Sequence, residues 1–323
     1  MSRALQNMLP YAVFQTLQSF YSSVKSVEES NLVDESIKKA FTATDNEILD
    51  AAVKAVESPS TLTDTISKLG TAYAGSCALL SIYDSKTEQL RVACTGDSRA
   101  VLGRKNSDGI WTATPLSIDQ TGFNLDEVAR LEAEHPNEAG IVQKGRIATL
   151  AVTRAFGDCA LKWSQEFQSK LRAGYFGRIV PERFSSMPYL TAEPVITTTK
   201  IRPGDGDFVV MASDGLWDNM TSERAVELVG RWLQARENEG KPASRSDIRE
   251  KMDEKVSKPG AGIDWDWELT TKDYVTQDKN AATHLIRNSL GGANSARVAG
   301  LLTPVAPMAS EVRDDITVQV IFF

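Results

Sequence analysis

One short run, Phe208 to Ala212, sets what this chain can fold into. Phe-Val-Val-Met-Ala is unbroken, apolar and rich in β-formers, and it has the length of a strand buried on both faces. Asp214 follows almost at once, and Gly215 lets the backbone turn sharply after it. Thr221 and Ser222 are placed to cap a helix with Glu223 in its first turn and Val226, Val229 and Leu233 on its apolar side. A carboxylate at the mouth of a rigid core strand suits a hard metal ion or phosphate chemistry. The plainer alternative is a turn aspartate that satisfies local backbone amides.

Upstream, residues 1–27 contain no Asp or Glu, and Leu5, Met8, Leu9, Val13, Leu17 and Phe20 recur at helical spacing. Arg3 and Lys25 are too few for a good mitochondrial presequence, so the spacing predicts a core-packed helix, interrupted near Pro10. Thr44-Asp45-Asn46-Glu47 reads as a capping box opening a second helix, and a third is expected near 62–73. Cys77–Tyr83, Leu90–Thr95 and Ala100–Gly103 read as a strand meander with turns at 84–86 and 96–98. Residues 123–134 form an amphipathic helix with Leu125, Val128 and Leu131 on one side, and Leu150–Ala155 is another apolar run. Residues 159–193 read as a long surface excursion, and 236–275 as a charged, Gly/Pro/Ser-bearing insertion. Ala281–Leu290 is a helix ending at Gly291-Gly292, 293–311 a loose loop, and Ile316–Phe323 a closing strand. Strands arrive in runs rather than alternating with helices, so the expectation over 1–323 is a single α+β domain of antiparallel type.

A net charge of −7 argues against a broad nucleic-acid or anionic-membrane surface. No stretch approaches the roughly 18 consecutive apolar residues of a transmembrane helix. Cys77, Cys94 and Cys159 have no disulfide or zinc spacing, which favours a reducing compartment.

Carboxylates stand in strand-to-turn positions at Asp97, Asp214 and Asp314, and Asp218 follows Asp214 by one helical turn. If they converge, repulsion at ~4 Å is about 4 kcal/mol per pair at an effective dielectric of 20, and a cation is needed. All-oxygen ligands select Mg²⁺ or Mn²⁺ over zinc. Spacing alone leaves the convergence open.

Six motifs in order carry a resemblance. They are Gly75-Ser76-Cys77-Ala78, Thr95-Gly96-Asp97-Ser98-Arg99-Ala100, Leu150 through Asp158, Ala192-Glu193-Pro194, Ser213-Asp214-Gly215-Leu216-Trp217-Asp218, and Asp314-Asp315-Ile316-Thr317-Val318. From about residue 70 to 323 the chain resembles the metal-dependent PPM-type (type 2C) protein serine/threonine phosphatases. Leu161-Lys162-Trp163 and Ala281 through Arg287 are most similar to the fungal and mitochondrial pyruvate dehydrogenase phosphatase branch.

The resemblance implies two packed antiparallel β-sheets flanked by helices. It implies Mg²⁺ or Mn²⁺ as cofactor and a bridging water that attacks phosphoserine or phosphothreonine in a protein. Asp214 and Asp314 would be ligands of the main centre, and Asp97 and Asp218, with Asp214, would serve an accessory ion. The implied substrate is a phosphoprotein of the pyruvate dehydrogenase complex, and the implied compartment is the mitochondrion. Two departures stand out: Asp315 replaces the family's usual Asn, and the family's Asp-Gly-His stretch, source of the metal-bridging aspartate, occurs nowhere in the 323 residues. The expectation is therefore an N-terminally incomplete sandwich, lacking at least one strand and with weak or no activity by itself. A non-catalytic, pseudophosphatase-like binding protein is the alternative.

Beside these, Arg99 and Arg154 are expected in structural pairs, Arg154 with Asp158. His284 reads as a structural histidine, His135 as exposed, Trp217 and the cysteines as core, and Lys162-Trp163 as part of the excursion.

Overall fold

A computed structural model of the chain describes residues 1–23, 30–178, 180–237 and 274–323. The 236–275 insertion expected from composition lies almost wholly outside the described residues. Helix α1, Ser2–Ser23, runs through Pro10 without the expected interruption; Pro10 is exposed, while Leu5, Leu9 and Val13 are buried. Helix α2 spans Ser30–Glu57, and α3 spans Leu62–Tyr73 with Thr61 capping it through Asp64 N–H. The expected capping box is inside α2, not at its start. There Thr44 Oγ1 donates back to the Ala40 carbonyl at 2.8 Å, the bond a mid-helix threonine makes when no free amide is near.

The chain continues as β1 (Gly75–Ser76), β2 (Ala78–Asp84), β3 (Gln89–Thr95), β4 (Arg99–Lys105) and β5 (Trp111–Pro115). Helix α4, Leu125–Glu134, is capped by Asn124, and β6 (Val142–Gln143), β7 (Arg146–Ile147) and β8 (Phe156–Gly157) follow. A 3₁₀ turn at Cys159–Leu161 leads to α5, Gln165–Gly174. Then come β9 (Val195–Lys200), β10 (Phe208–Ala212), the one-turn α6 (Asp214–Trp217) and α7 (Ser222–Glu237). Helix α8 (Ala281–Leu290), α9 (Ser295–Leu302), α10 (Ala309–Val312) and β11 (Val318–Phe322) complete the described elements. Helices α9 and α10 occupy what the sequence presents as a loose loop.

The expected meander is split. Strands β2 and β3 belong to a three-stranded sheet ordered β2-β3-β9, whereas β4 belongs to a four-stranded antiparallel sheet ordered β11-β10-β4-β5. The Gly96-Asp97-Ser98 turn thus passes the chain from one sheet to another instead of closing a hairpin.

Two compact units are distinguished. One comprises Met1–Ile82, Arg91–Ser98 and Ser117–Thr198; the other comprises Tyr83–Leu90, Arg99–Leu116 and Thr199–Phe323. In the first, α1 and α2 bury Leu5, Leu9, Val13, Val33, Ile37 and Phe41 against Ala93 and Phe156. Its 159–193 region mixes core and surface: Cys159, Leu161, Leu171, Phe184, Tyr189 and Leu190 are all at most 5% exposed, while Arg172, Phe176, Arg183, Ser185 and Ser186 are exposed. The Lys162 side chain is only 5% exposed. Its Nζ donates to Asp45 Oδ2 at 2.6 Å and to the Ala155 carbonyl at 2.7 Å, while Asp45 Oδ1 accepts Gly157 N–H at 2.8 Å. That tie holds β8 against β1, where Gly75 pairs with Gly157. A Cβ on Gly75 would collide with the Asp158 carboxyl, so a larger residue there must turn that side chain aside.

In the second unit, β10 is as the sequence predicts: hydrogen-bonded to β11 on one side and β4 on the other, with every residue buried. Phe208 and Val210 pack against Val226, Val229 and Leu285 of α7 and α8, each such burial being worth roughly 1.5–3 kcal/mol. Thr221 Oγ1 accepts the Arg224 N–H at 3.2 Å and starts α7, and Gly291, at φ 140°, stops α8. His284 is wholly buried, its Nε2 3.0 Å from the Leu228 carbonyl and its Nδ1 3.0 Å from Asn288 Nδ2, a structural histidine as expected.

Candidate functional site

The four candidate carboxylates divide between the units. In the second unit, Ala212 at the end of β10 pairs with Val318 at the start of β11. The antiparallel register therefore brings the segments carrying Asp214 and Asp314 to one end of the sheet. Ser213 laces them together. Its Oγ donates to the Asp315 carbonyl at 2.8 Å and accepts Thr317 N–H at 3.0 Å, and its own N–H donates to the Thr317 carbonyl at 3.1 Å. Gly215 is needed here for room, not for a turn. A Cβ would sit 2.6 Å from the Asp315 carbonyl oxygen.

Asp214 begins α6, not an open turn as the sequence suggests. Its Oδ1 accepts Gly215 N–H at 2.9 Å, and its carbonyl accepts Asp218 N–H at 2.8 Å, which sets Asp218 one helical turn away. Asp314 Oδ1 accepts Asp315 N–H at 2.7 Å, and the Asp315 side chain is fully exposed near Arg313. Trp217 is buried and donates its Nε1–H to the Ala212 carbonyl at 3.1 Å. The Arg99 guanidinium lies 5.2 Å from that ring's centroid, a cation–π contact.

Asp97 stands in the first unit. Its turn is clamped by Gln120, which accepts Gly96 N–H at 2.7 Å and donates to the Cys94 carbonyl at 2.9 Å. Thr95 Oγ1 donates to the Ala192 carbonyl at 2.9 Å, and the half-buried Cys77 thiol donates to Asp97 Oδ1 at 3.2 Å. Burial raises the Cys94 and Cys159 thiols to about 12, so these two are inert core groups.

Carboxylate oxygens without thiolate or imidazole are the donor type of a hard ion. Number is where the fit stops. Among the described residues, no three or more His, Cys, Asp or Glu side chains gather into a group that could hold a metal ion. No reaction step can be routed through an ion held by these residues alone.

Three side-chain assemblies were not legible as such. Arg154 pairs with Glu127, at 2.7 Å, and not with Asp158 as its position suggests. Glu127 is buried because it stands four residues before the fully buried Leu131 on α4, on the same face, while Leu125 is 80% exposed. That spacing was available in the sequence. The second is the Asp45–Lys162 pair, and nothing local signals a partner 117 residues away. The third surrounds His135, which is buried, not exposed as expected.

The sequence profile of the family described as Protein phosphatase 2C matches residues 11–259. A protein phosphatase 2C homolog of Schizosaccharomyces pombe is 43% identical over 98% of this chain and 69% of its own length. The mitochondrial [pyruvate dehydrogenase [acetyl-transferring]]-phosphatase 1 of Saccharomyces cerevisiae is 37% identical over 98% of this chain, and that of Bos taurus 32% identical over 96%. The chain spans 58% and 59% of the lengths of these two relatives. The solved structure of serine-threonine phosphatase 2C from Toxoplasma gondii covers the whole chain with a TM-score of 0.54 at 16% identity, a likeness of fold.

Proposed function

Because this chain belongs to the protein phosphatase 2C family, we propose that it supplies ion-binding carboxylates to a phosphatase that hydrolyses phosphoserine and phosphothreonine in proteins. The supporting observation is the Ser213-laced edge, where the Asp214 and Asp314 segments meet at the buried end of β10. In this reading Asp214 and Asp314 contribute two ligands to a Mg²⁺ or Mn²⁺ centre that other groups complete, while the accessory-ion set of Asp97, Asp214 and Asp218 is not gathered among the described residues. The hard-ion donor type of these side chains supports the choice of metal. Relatives from Saccharomyces cerevisiae and Bos taurus bear the name of mitochondrial pyruvate dehydrogenase phosphatases. On that ground the proposed substrate is a phosphorylated protein of the pyruvate dehydrogenase complex and the proposed compartment the mitochondrion.

The test uses a protein carrying an Asp-Gly-His segment ahead of this chain, assayed for phosphate release from a phosphoserine peptide across a Mn²⁺ titration. Asp214→Asn keeps the shape and removes the charge that offsets a cation, so turnover should fall by at least ~100-fold with folding intact by circular dichroism. Asp218→Asn should leave measurable activity at a raised metal requirement. Near-parental turnover of Asp214→Asn at saturating Mn²⁺ would remove Asp214 from the main centre. Equal rates on pyruvate dehydrogenase phosphopeptides and unrelated ones would remove the substrate assignment alone.

A further inference from the structure

After α5 the chain returns over residues 181–190 and docks on the segment that follows α4, within the first unit. The dock is polar and centres on Glu138. Its Oε1 accepts the Ser185 hydroxyl at 2.7 Å and the N–H groups of Ser185 and Ser186 at 3.3 and 2.9 Å. Its Oε2 accepts the Tyr189 hydroxyl in a short bond. Burial works against the charge, but these bonds outweigh it and hold the carboxyl at about 2, so Glu138 is an anion at neutral pH.

Behind the loop sits His135, 5% exposed and stacked on the fully buried Tyr189 ring with centroids 4.3 Å apart. Its Nδ1 is 2.7 Å from Ser186 Oγ, and its Nε2 is buried without a hydrogen-bond partner. Whichever nitrogen carries the proton, Nε2 is unsatisfied, and the Ser186 hydroxyl is the hydrogen bond shown for the ring. Ser186 itself is exposed, as are Ser185 and Arg183 three residues before it. The hydroxyl of an exposed residue therefore closes a buried polar assembly that has an unmet need and a fixed negative charge.

We propose that Ser186 is a phosphoacceptor and that its modification releases the 181–190 segment from Glu138. This goes beyond the phosphatase reading and does not depend on it. A serine kinase directed by a basic residue would transfer the γ-phosphoryl group of ATP: the bond from phosphorus to Ser186 Oγ forms, the bond to the ADP oxygen breaks, and the hydroxyl proton leaves. Arg183 supplies the basic determinant. The added group carries about −1.5 to −2 charges at neutral pH. It stands on the residue whose N–H caps the Glu138 carboxylate, so a second anion is placed beside that carboxylate. The imidazole loses its hydroxyl partner at the same step. Ser185 lies only two residues after Arg183, and its Oγ donates to Glu138 rather than to His135.

The experiment incubates the protein with an arginine-directed serine kinase and ATP, maps phosphate by mass spectrometry, and follows amide hydrogen exchange over 184–190. The expected result is phosphate on Ser186, absent in Ser186→Ala and reduced in Arg183→Ala, with exchange accelerated at least ~10-fold in the modified form. Glu138→Gln, which lacks the opposing charge, should show a smaller acceleration between its unmodified and modified forms. Absence of phosphate on Ser186, or modification that leaves exchange over 184–190 unchanged, would overturn the proposal. An acceleration that Glu138→Gln leaves undiminished would overturn the charge-repulsion mechanism.

Discussion

Arg154 grips Glu127 on both oxygens: Nη2 is 2.7 Å and Nε 2.9 Å from Oε1, and Nε is 3.0 Å from Oε2. Neither residue is more than 8% exposed. Arg130 and Thr153 complete the carboxylate's bonds, and Arg154 also donates to the Glu193 carbonyl at 2.8 Å. The arginine of the Thr-Arg-Ala-Phe-Gly-Asp motif is thus a structural tie between α4 and the segment before β9.

Removing one partner of such a pair strands the other charge in the interior. Glu127→Ala should lower unfolding free energy by about 3–5 kcal/mol, measured by urea denaturation. A loss below about 1 kcal/mol would mean that Arg154 finds water or another acceptor.

The same carboxyl makes stability depend on acid. Burial alone would raise its pKa, but hydrogen bonds from Arg154 and Arg130 bring it from the ordinary 4.5 down to about 2. A lowered folded-state value means a contribution that is whole above about 4.5 and disappears as pH falls toward 2. The stability gap between parent and Glu127→Gln should therefore be constant from pH 7 to about 5 and narrow below that. Glu138 titrates in the same window, so the comparison of the two proteins, not the parent alone, isolates Glu127. A gap independent of pH between 5 and 3 would rule out this linkage.

Gly215 faces the Asp315 carbonyl so closely that a methyl group must displace one of them. Gly215→Ala should cost about 1–3 kcal/mol. On the proposed phosphatase reading it should also shift the Asp314 segment and raise the Mn²⁺ requirement of the protein carrying the Asp-Gly-His segment. Thermal unfolding and a metal titration check the two effects separately, and an unchanged melting temperature would show that the Asp315 segment yields freely.

The Lys162 side chain is buried against Asp45, and burial lowers its pKa despite that partner. Lys162→Met should destabilise by about 3–5 kcal/mol because buried Asp45 loses its ion-pair partner and is left with the Gly157 N–H bond. Lys162→Met combined with Asp45→Asn should recover part of the loss. If the double variant is no more stable than the single one, packing rather than charge sets the cost.

How much the sequence discloses follows from the range of each signal. Phe208–Ala212 is legible as a buried strand because five apolar residues in a row leave no polar face, and α8 is legible because Gly291-Gly292 ends it. The carboxylate-bearing turns are legible because each follows or precedes a strand with clear boundaries. Partners far away in sequence are not. Thr44–Glu47 looks like a helix start because Thr-x-x-Glu describes only local geometry, whereas Lys162 and Gly157 claim the Asp45 oxygens in three dimensions. The 159–193 region reads as surface since its Gly, Pro and charges dilute Leu161, Leu171, Phe184 and Tyr189, whose burial depends on neighbours outside the window. His135 beside Pro136 carries no hint of the Tyr189 ring that covers it.

The bond from Ser213 to Asp315 spans 102 positions of chain. Bringing two such distant points together costs loop entropy that few local contacts repay in advance. During refolding the β10–β11 closure should therefore trail the α7–β10 contacts, which join neighbouring segments. The carboxylate-bearing edge belongs to the slow part of its own assembly, and a hydrogen-exchange pulse early in refolding should find Val318–Phe322 unprotected while α7 is already formed.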